Sequence, residues 1–440
     1  MEEKVAQAVR EQPSLPTATG GASVFGRIQT FQALAYRDFR FLWLGQITNS
    51  ASLWIEQVAR PILVLDMTGS AVHLGLVLAA RTLPQFGFGL IGGVFADWYD
   101  RRTLLLVSKG LAMIINFVFA ALILTGRMEL WHIYATTILR GIVLSFDQPA
   151  RQSLIPSLVP RESLTNAVAL NSASMNTMRI GGAFLAGVLL ASVGVGGTFL
   201  AVAITSAGAV LFTFLMRVPP MKLIADKGAS AVVSSLWEGL KYGWGSAQIR
   251  GIIILTMVYF TLGMAYMQVF APLFAKQVLD IGDAGFGFLM SATGVGALIG
   301  ALTIATWSPS RRRGAFMLGL MFILGILLIF FGLSTYVPSM AADQRWVALT
   351  FGTIALVGMT QTSFFALSNT VLLETTPADK RGRIMGLLSL DRAMITLGGT
   401  VAGFTAAALG PQPAQMLFGL GCVALAVFLS VILPKVRAID

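Results

Sequence analysis

Stretches of about 20 mostly apolar residues recur along this 440-residue chain, separated by short polar turns. The pattern predicts helices at 39–66, 71–96, 103–125, 130–149, 163–191 and 196–217, then at 249–275, 284–306, 314–335, 346–373, 383–409 and 412–434. Runs of this length are too long for barrel strands, which alternate over about ten residues. In hydrocarbon every backbone N–H and C=O needs an internal partner, so the runs are read as membrane-spanning helices. The expected fold is an all-α membrane protein with twelve transmembrane helices.

Basic residues fall mainly in every second connection. Arg37 and Arg40 precede the first span, Arg101 and Arg102 follow the second, and Arg151 and Arg161 follow the fourth. The same side receives Arg217, Lys222, Lys227 and Lys241, then Arg311 to Arg313, Lys380, Arg381 and Arg383, and finally Lys435 and Arg437. The other connections carry Arg127, Lys276 and Arg345 as isolated exceptions. This asymmetry places both termini in the cytoplasm. Residues 1–38, with Glu2, Glu3, Glu11, Pro13 and Pro16, lack the apolar core of a cleavable leader and read as a cytoplasmic tail.

The longest internal break, 218–248, opens with Pro219 and Pro220 and places Leu236, Trp237, Leu240 and Trp244 at helical spacing. It reads as a cytoplasmic linker with an interfacial helix between bundles at 39–217 and 249–434, followed by a tail at 435–440. The halves echo each other: Arg179-Ile-Gly-Gly-Ala-Phe-Leu-Ala-Gly187 resembles Leu397-Gly-Gly-Thr-Val-Ala-Gly403, each after a Pro-containing turn. Two pseudo-symmetric six-helix bundles, with a site at their interface, follow the repeat logic of secondary transporters.

Composition narrows the class: 56% of residues are hydrophobic and 12% charged. The net charge of +11 is spread over short loops, so no nucleic-acid partner is expected. Cys422 lies in an apolar run, and His73 and His132 lie near the outer ends of the second and fourth spans, so neither a disulfide framework nor a metal site is expected. No Gly-Lys-Ser/Thr phosphate loop is present. The string Gly87-Phe-Gly89-Leu-Ile-Gly92 sits inside a span and reads as helix packing, as do Gly294, Gly296 and Gly300. The chain is expected to be no enzyme and to carry no cofactor, with transport driven by an ion gradient or by the substrate's own.

Ionisable residues inside spans cost about 2.5–3.5 kcal/mol each at a helix centre, so they mark candidate pathways. In the first span Asn49, Glu56 and Arg60 share one face through spacings of seven and four. Glu56 and Arg60 form an intrahelical ion pair on one reading; on the other, Glu56 is a proton-accepting carboxylate whose protonation follows substrate or conformation. Arg81 and Gln85 in the second span, Arg140 in the fourth, Arg179 in the fifth and Asp391 beside Arg392 in the eleventh complete the charged set. Gln268 and Gln361, with Thr362 and Ser363, are the expected polar contacts from the second half. Trp54, Phe86, Phe88, Tyr259, Met264, Tyr266, Met267, Phe364 and Phe365 stand where an adaptable apolar cavity would lie.

The turn Gly93-Val-Phe-Ala-Asp97-Trp-Tyr-Asp-Arg101-Arg102 resembles the cytoplasmic loop signature of the major facilitator superfamily. Phe39-Arg-Phe-Leu-Trp-Leu-Gly-Gln46, Asp147-Gln-Pro-Ala-Arg-Gln-Ser-Leu-Ile-Pro156 and Arg179-Ile-Gly-Gly182 are similar to its drug and siderophore efflux branch, of the enterobactin-exporter and macrolide-efflux type. Asp100 stands where the signature usually has Gly, and Gly182 where the antiporter motif usually has Pro. Within the loop, Asp97 can bond to a neighbouring helix N-terminus, and Arg101 or Arg102 can pair with an acid such as Asp147, forming a cytoplasmic gate. Alternatively, Arg101 and Arg102 anchor topology alone. Arg140 is similar to the fourth-helix arginine that the superfamily associates with proton coupling. The excess of buried arginine favours anionic or zwitterionic substrates, catecholate siderophores among them.

The resemblance implies a proton-coupled multidrug or siderophore antiporter of the cell membrane, exporting an amphipathic small molecule by alternating access. A gradient-driven facilitator or lysolipid transporter on the same fold is the alternative. The expected partners are the small-molecule substrate, protons and membrane lipids, with the chain acting as a monomer.

Overall fold

The computed structural model describes residues 29–98, 100–218, 241, 244–306, 312–333, 344–377, 391–432 and 437. Among them the architecture is helical throughout, with no strand. After a 3-10 turn at Gln29–Ala35 come α1 (Arg37–Thr68), α2 (Ala71–Trp98), α3 (Arg101–Leu124), α4 (Leu130–Leu158) and α5 (Arg161–Leu215). The second part holds α6 (Ala247–Val278), α7 (Gly282–Thr306), α8 (Arg313–Leu333), α9 (Gln344–Thr375), α10 (Asp391–Leu409) and α11 (Pro411–Ile432). Seven of the helices described are long and apolar enough to cross a membrane by length and composition. The interfacial helix expected within 218–248 falls almost wholly outside the described residues.

Local chemistry sets the boundaries. Gly69, at φ 60°, caps α1 by donating its N–H to Leu65 O at 2.8 Å. Asp100 opens α3 as its N-cap: the carboxylate accepts from Thr103 N at 2.9 Å and Thr103 Oγ1 at 2.7 Å. A carboxylate at this helix start also complements the positive end of the helix dipole, which gives the departure at Asp100 a structural role. Gly194, at φ 66°, breaks α5 into two helical legs near the expected junction of the fifth and sixth spans.

Two helices outrun their predicted ends. The fourth predicted element stops at 149, whereas α4 continues through Pro149 and Pro156 to Leu158. Its last turns bury Ala150, Leu154, Ile155 and Leu158 in a cluster with Phe39, Leu42 and Leu105, and this packing outweighs the proline penalty. The seventh reaches Val278 by adopting wide π-helical turns at Tyr266–Phe270 and Phe274–Val278. Such turns shift the side-chain register and are frequent at functional sites.

Helices before residue 218 pack chiefly on each other, as do those after 244; α5 meets α7, and α2 meets α10, across the two groups. A Cβ on Gly287 would lie 2.2 Å from Gly187 Cα, so α5 and α7 touch backbone to backbone there. The eighth-span glycines behave as expected of a packing stripe: a Cβ at Gly296 would meet Ala355 O, and one at Gly300 would meet Met359 O at 2.3 Å.

Candidate transport site

Three ionic side chains from two helices meet inside the first group. Glu56 on α1 is 2% exposed, and its two oxygens are shared out between two arginines. Arg60, one turn along α1, donates from Nε and Nη2 to Oε1 at 3.1 and 2.8 Å. Arg140 on α4 donates from Nη2 to Oε2 at 2.9 Å. The pairing expected within α1 is therefore present and is joined by a third residue from across the bundle.

The two arginines are held differently. Arg60 also donates from Nη1 to Thr137 Oγ1 at 2.8 Å and Thr136 Oγ1 at 3.3 Å. Its guanidinium carbon lies 4.5 Å from the centre of the Phe119 ring. Arg140 is 5% exposed, and its Nε is buried without a hydrogen-bond partner among the described residues. Arg60 is thus fixed on every side, while among the described residues a single bond to Glu56 holds Arg140. Arg81 on α2 lies within electrostatic reach of the same carboxylate. Its backbone carbonyl packs onto Gly141, where a Cβ would sit 2.2 Å from the oxygen. That close approach brings Arg81 beside Arg140.

Asn49 is half-buried on α1, and Gln85 half-buried on α2 accepts at its backbone carbonyl from Ser145 Oγ at 3.2 Å. From the second group, Gln361 donates from Nε2 to Gly263 O at 3.1 Å, bracing α6 where its regular turns give way to π-helical ones. Gln268 lies half-buried within the first π-helical segment. Asp391 opens α10, and the Arg392 side chain is outside the described set. Arg179 on α5 lies within electrostatic reach of Tyr266 on α6. Tyr259 and Phe364 stack with ring centres 3.7 Å apart, fully buried, whereas Phe365 is exposed.

The gate residues divide. The surroundings of Gly93 and the side chain of Asp97 lie outside what is described. Arg101 donates from Nη1 to Ser153 O at 3.1 Å, and Arg102 from Nη2 to Phe214 O at 2.7 Å. Asp147, expected to pair with one of them, instead pairs along its own helix with Arg151 at 3.7 Å. One turn separates Asp147 from Arg151, so that partner needs no approach of a second helix.

Sequence reasoning passed over Lys109. It is 2% exposed on α3, donates from Nζ to Thr213 Oγ1 at 3.2 Å, and lies within electrostatic reach of Asp147 and Arg151. Eight residues beyond Arg101, it stands about 12 Å into the helix. That depth was the available signal. Asn116 was also missed; it donates from Nδ2 to Ser206 Oγ at 2.6 Å, and Ser206 in turn contacts Ser52 Oγ at 2.8 Å.

Cross-group polar contacts cluster near the loops poor in basic residues. Lys276 on α6 pairs with Asp66 at the end of α1 and, at 3.0 Å, with Asp283 on α7. Gln277 Nε2 donates to Gly69 O at 3.4 Å, and Thr400 Oγ1 to Gly75 O at 3.3 Å. Lys276, an exception to the charge pattern, thus has two acid partners.

An integral membrane protein with a buried ionic centre in one helix group and a seam to a second group has the anatomy of a transporter. The nucleoside transporter NupG has the same fold, with a TM-score of 0.68 at 13% identity over 90% of this chain and 99% of that one. In sequence, the chain is 27% identical over 406 residues to the multidrug efflux pump Tap of Mycolicibacterium fortuitum, covering 90% of this chain and 95% of Tap. It is 29% identical over 408 residues to the enterobactin exporter EntS of Shigella boydii serotype 18, covering 91% and 92%. The transmembrane secretion effector family matches residues 28–440. The chain belongs to that family, within the drug and siderophore efflux transporters of the major facilitator superfamily, and is a small-molecule transporter and not an enzyme.

Proposed function

We propose that this protein is a secondary active transporter of the cell membrane that exports an amphipathic small molecule, drug-like or siderophore-like, in exchange for protons. Twelve spans form two six-helix bundles, 39–217 and 249–434, joined by the 218–248 linker, with both termini cytoplasmic and the monomer as the working unit. The two legs of α5 on either side of Gly194 supply the fifth and sixth spans on this reading.

The observation that carries the proton-coupled reading is the Glu56 carboxylate buried between Arg60 and Arg140. Protonating Glu56 removes the charge that holds Arg140, and the arginine, bound by one contact, is then free to turn toward a substrate. Rocking of one bundle against the other alternates access to the centre. The Lys276 pairs with Asp66 and Asp283 close the side away from the basic loops, and Gly93, Asp97, Arg101, Arg102 and Asp147 form the opposite gate.

Reconstitution into liposomes with an imposed pH gradient tests this reading. Siderophores, macrolides and lysolipids are screened for movement and for accompanying proton flux. Movement of a solute with opposite proton flux is the expected result; movement with none points to the facilitator.

A further inference from the structure

Arg179 is a second cation within a span, half-buried, that the Glu56 centre does not neutralise. The electrostatic partners of Glu56 are Arg140, Arg60 and Arg81, and Arg179 is not one of them. Among the described residues Arg179 makes no ion pair, and its Nε is buried without a hydrogen-bond partner. It lies eighteen residues past the start of α5 and fifteen before the break at Gly194, near the middle of a span. An unpaired guanidinium at that depth is costly, by about 2.5–3.5 kcal/mol on insertion scales. A charge retained without a protein counter-ion is explained if the counter-ion arrives with a ligand.

The electrostatic partner of Arg179, Tyr266, belongs to the other helix group. Ile180, its neighbour, packs against Gly294 on α7, where a Cβ would lie 3.1 Å from Ile180 Cα. The residue before Gly294, Thr293, accepts from the Tyr266 hydroxyl at a long 3.4 Å. Tyr266 is fully buried and is the first residue of the π-helical turn Tyr266–Phe270. A hydroxyl held by so long a bond gains by donating to a better acceptor. One turn from Arg179, Trp54 reaches the backbone at Gly182, where a Cβ would lie 2.9 Å from Trp54 Cβ. Cation and hydroxyl therefore come together at the seam between α5 and the second helix group.

We propose that Arg179 and Tyr266 form a binding point for the carboxylate of an amphipathic solute, Arg179 supplying the charge from one bundle and Tyr266 a hydroxyl from the other. This rests on the transport reading and gives its substrate class: an organic anion with an apolar body. Because the two groups sit on opposite bundles, the bound anion bridges the seam that must shift during transport. Discrimination follows from the unpaired charge, since a neutral analogue leaves Arg179 without its counter-ion.

Binding of a matched pair of fluorescent probes tests the proposal: dansyl-glycine, a carboxylate, and its uncharged amide. Affinities are measured on the purified full-length protein in non-ionic detergent without a pH gradient, so the result is independent of proton coupling. Wild type is expected to hold the carboxylate roughly tenfold or more tightly than the amide, the worth of one charge-assisted hydrogen bond. Arg179→Gln should erase that preference while leaving amide affinity unchanged, Arg179→Lys should restore part of it, and Tyr266→Phe should weaken the carboxylate by about threefold. Equal wild-type affinity for both probes, or equal loss of both in Arg179→Gln, overturns the proposal. So does an Arg179→Gln protein that keeps the preference.

Discussion

Arg140 reaches across from α4 to hold Oε2 of Glu56 at 2.9 Å, leaving its own Nε buried and without a hydrogen-bond partner among the described residues. The same carboxylate gives its other oxygen to Arg60, which is satisfied on all sides. One arginine is thus a fixture and the other a detachable contact, and the predictions for this centre follow from that inequality.

Removing the fixture should cost more than removing the detachable partner. Arg60→Met loses two bonds to Glu56 and those to Thr136 and Thr137, and should lower stability by about 3 kcal/mol. Arg140→Met leaves Glu56 paired one-to-one with Arg60 and removes the surplus cation, so its stability should change by less than about 1 kcal/mol while transport is lost. Thermal unfolding in detergent reads the difference. Equal destabilisation by the two substitutions would contradict the assignment.

Lys276 ties the end of α1 to α6 and α7 through Asp66 and Asp283. Asp66→Cys combined with Lys276→Cys should therefore cross-link through disulfides with a short bifunctional methanethiosulfonate, stop transport, and recover it on reduction. Cys422 is buried and gives no competing reaction. Full transport by the cross-linked protein would show that the two helices need not part at this end.

Asp97→Asn should abolish transport without reducing the amount of inserted protein, since the proposed gate loses its carboxylate and no span is disturbed. Quantifying the membrane-inserted variant beside its transport rate checks this. Normal transport would leave Arg101 and Arg102 as topological anchors, with Arg102 tied to the Phe214 carbonyl at 2.7 Å.

The helical membrane class was legible because apolar runs of this length leave no other way to satisfy the backbone. Periodicity along α1 gave the shared face of Glu56 and Arg60, but Arg140 lies 84 positions away, and local spacing carries no information about such a contact. The π-helical turns around Tyr266 were invisible for a similar reason: they arise from how α6 packs, with no local sequence signal beyond Pro272. Asp147 was expected to pair with Arg101 or Arg102, whereas it pairs with Arg151 on its own helix; sequence spacing alone does not choose between these partners. Lys109 was overlooked because a lone lysine near a basic loop looks like an anchor; its burial between Gly45 and Thr213 is a tertiary fact.

Proton exchange at Glu56 is tested most directly in proteoliposomes carrying Glu56→Gln, with solute movement and proton flux recorded together while the pH gradient is imposed, abolished or reversed. Wild type should move the solute uphill with opposite proton flux. The variant should show no proton flux, and any remaining movement should be indifferent to the gradient. A Glu56→Gln protein whose transport still follows the pH gradient would contradict the account.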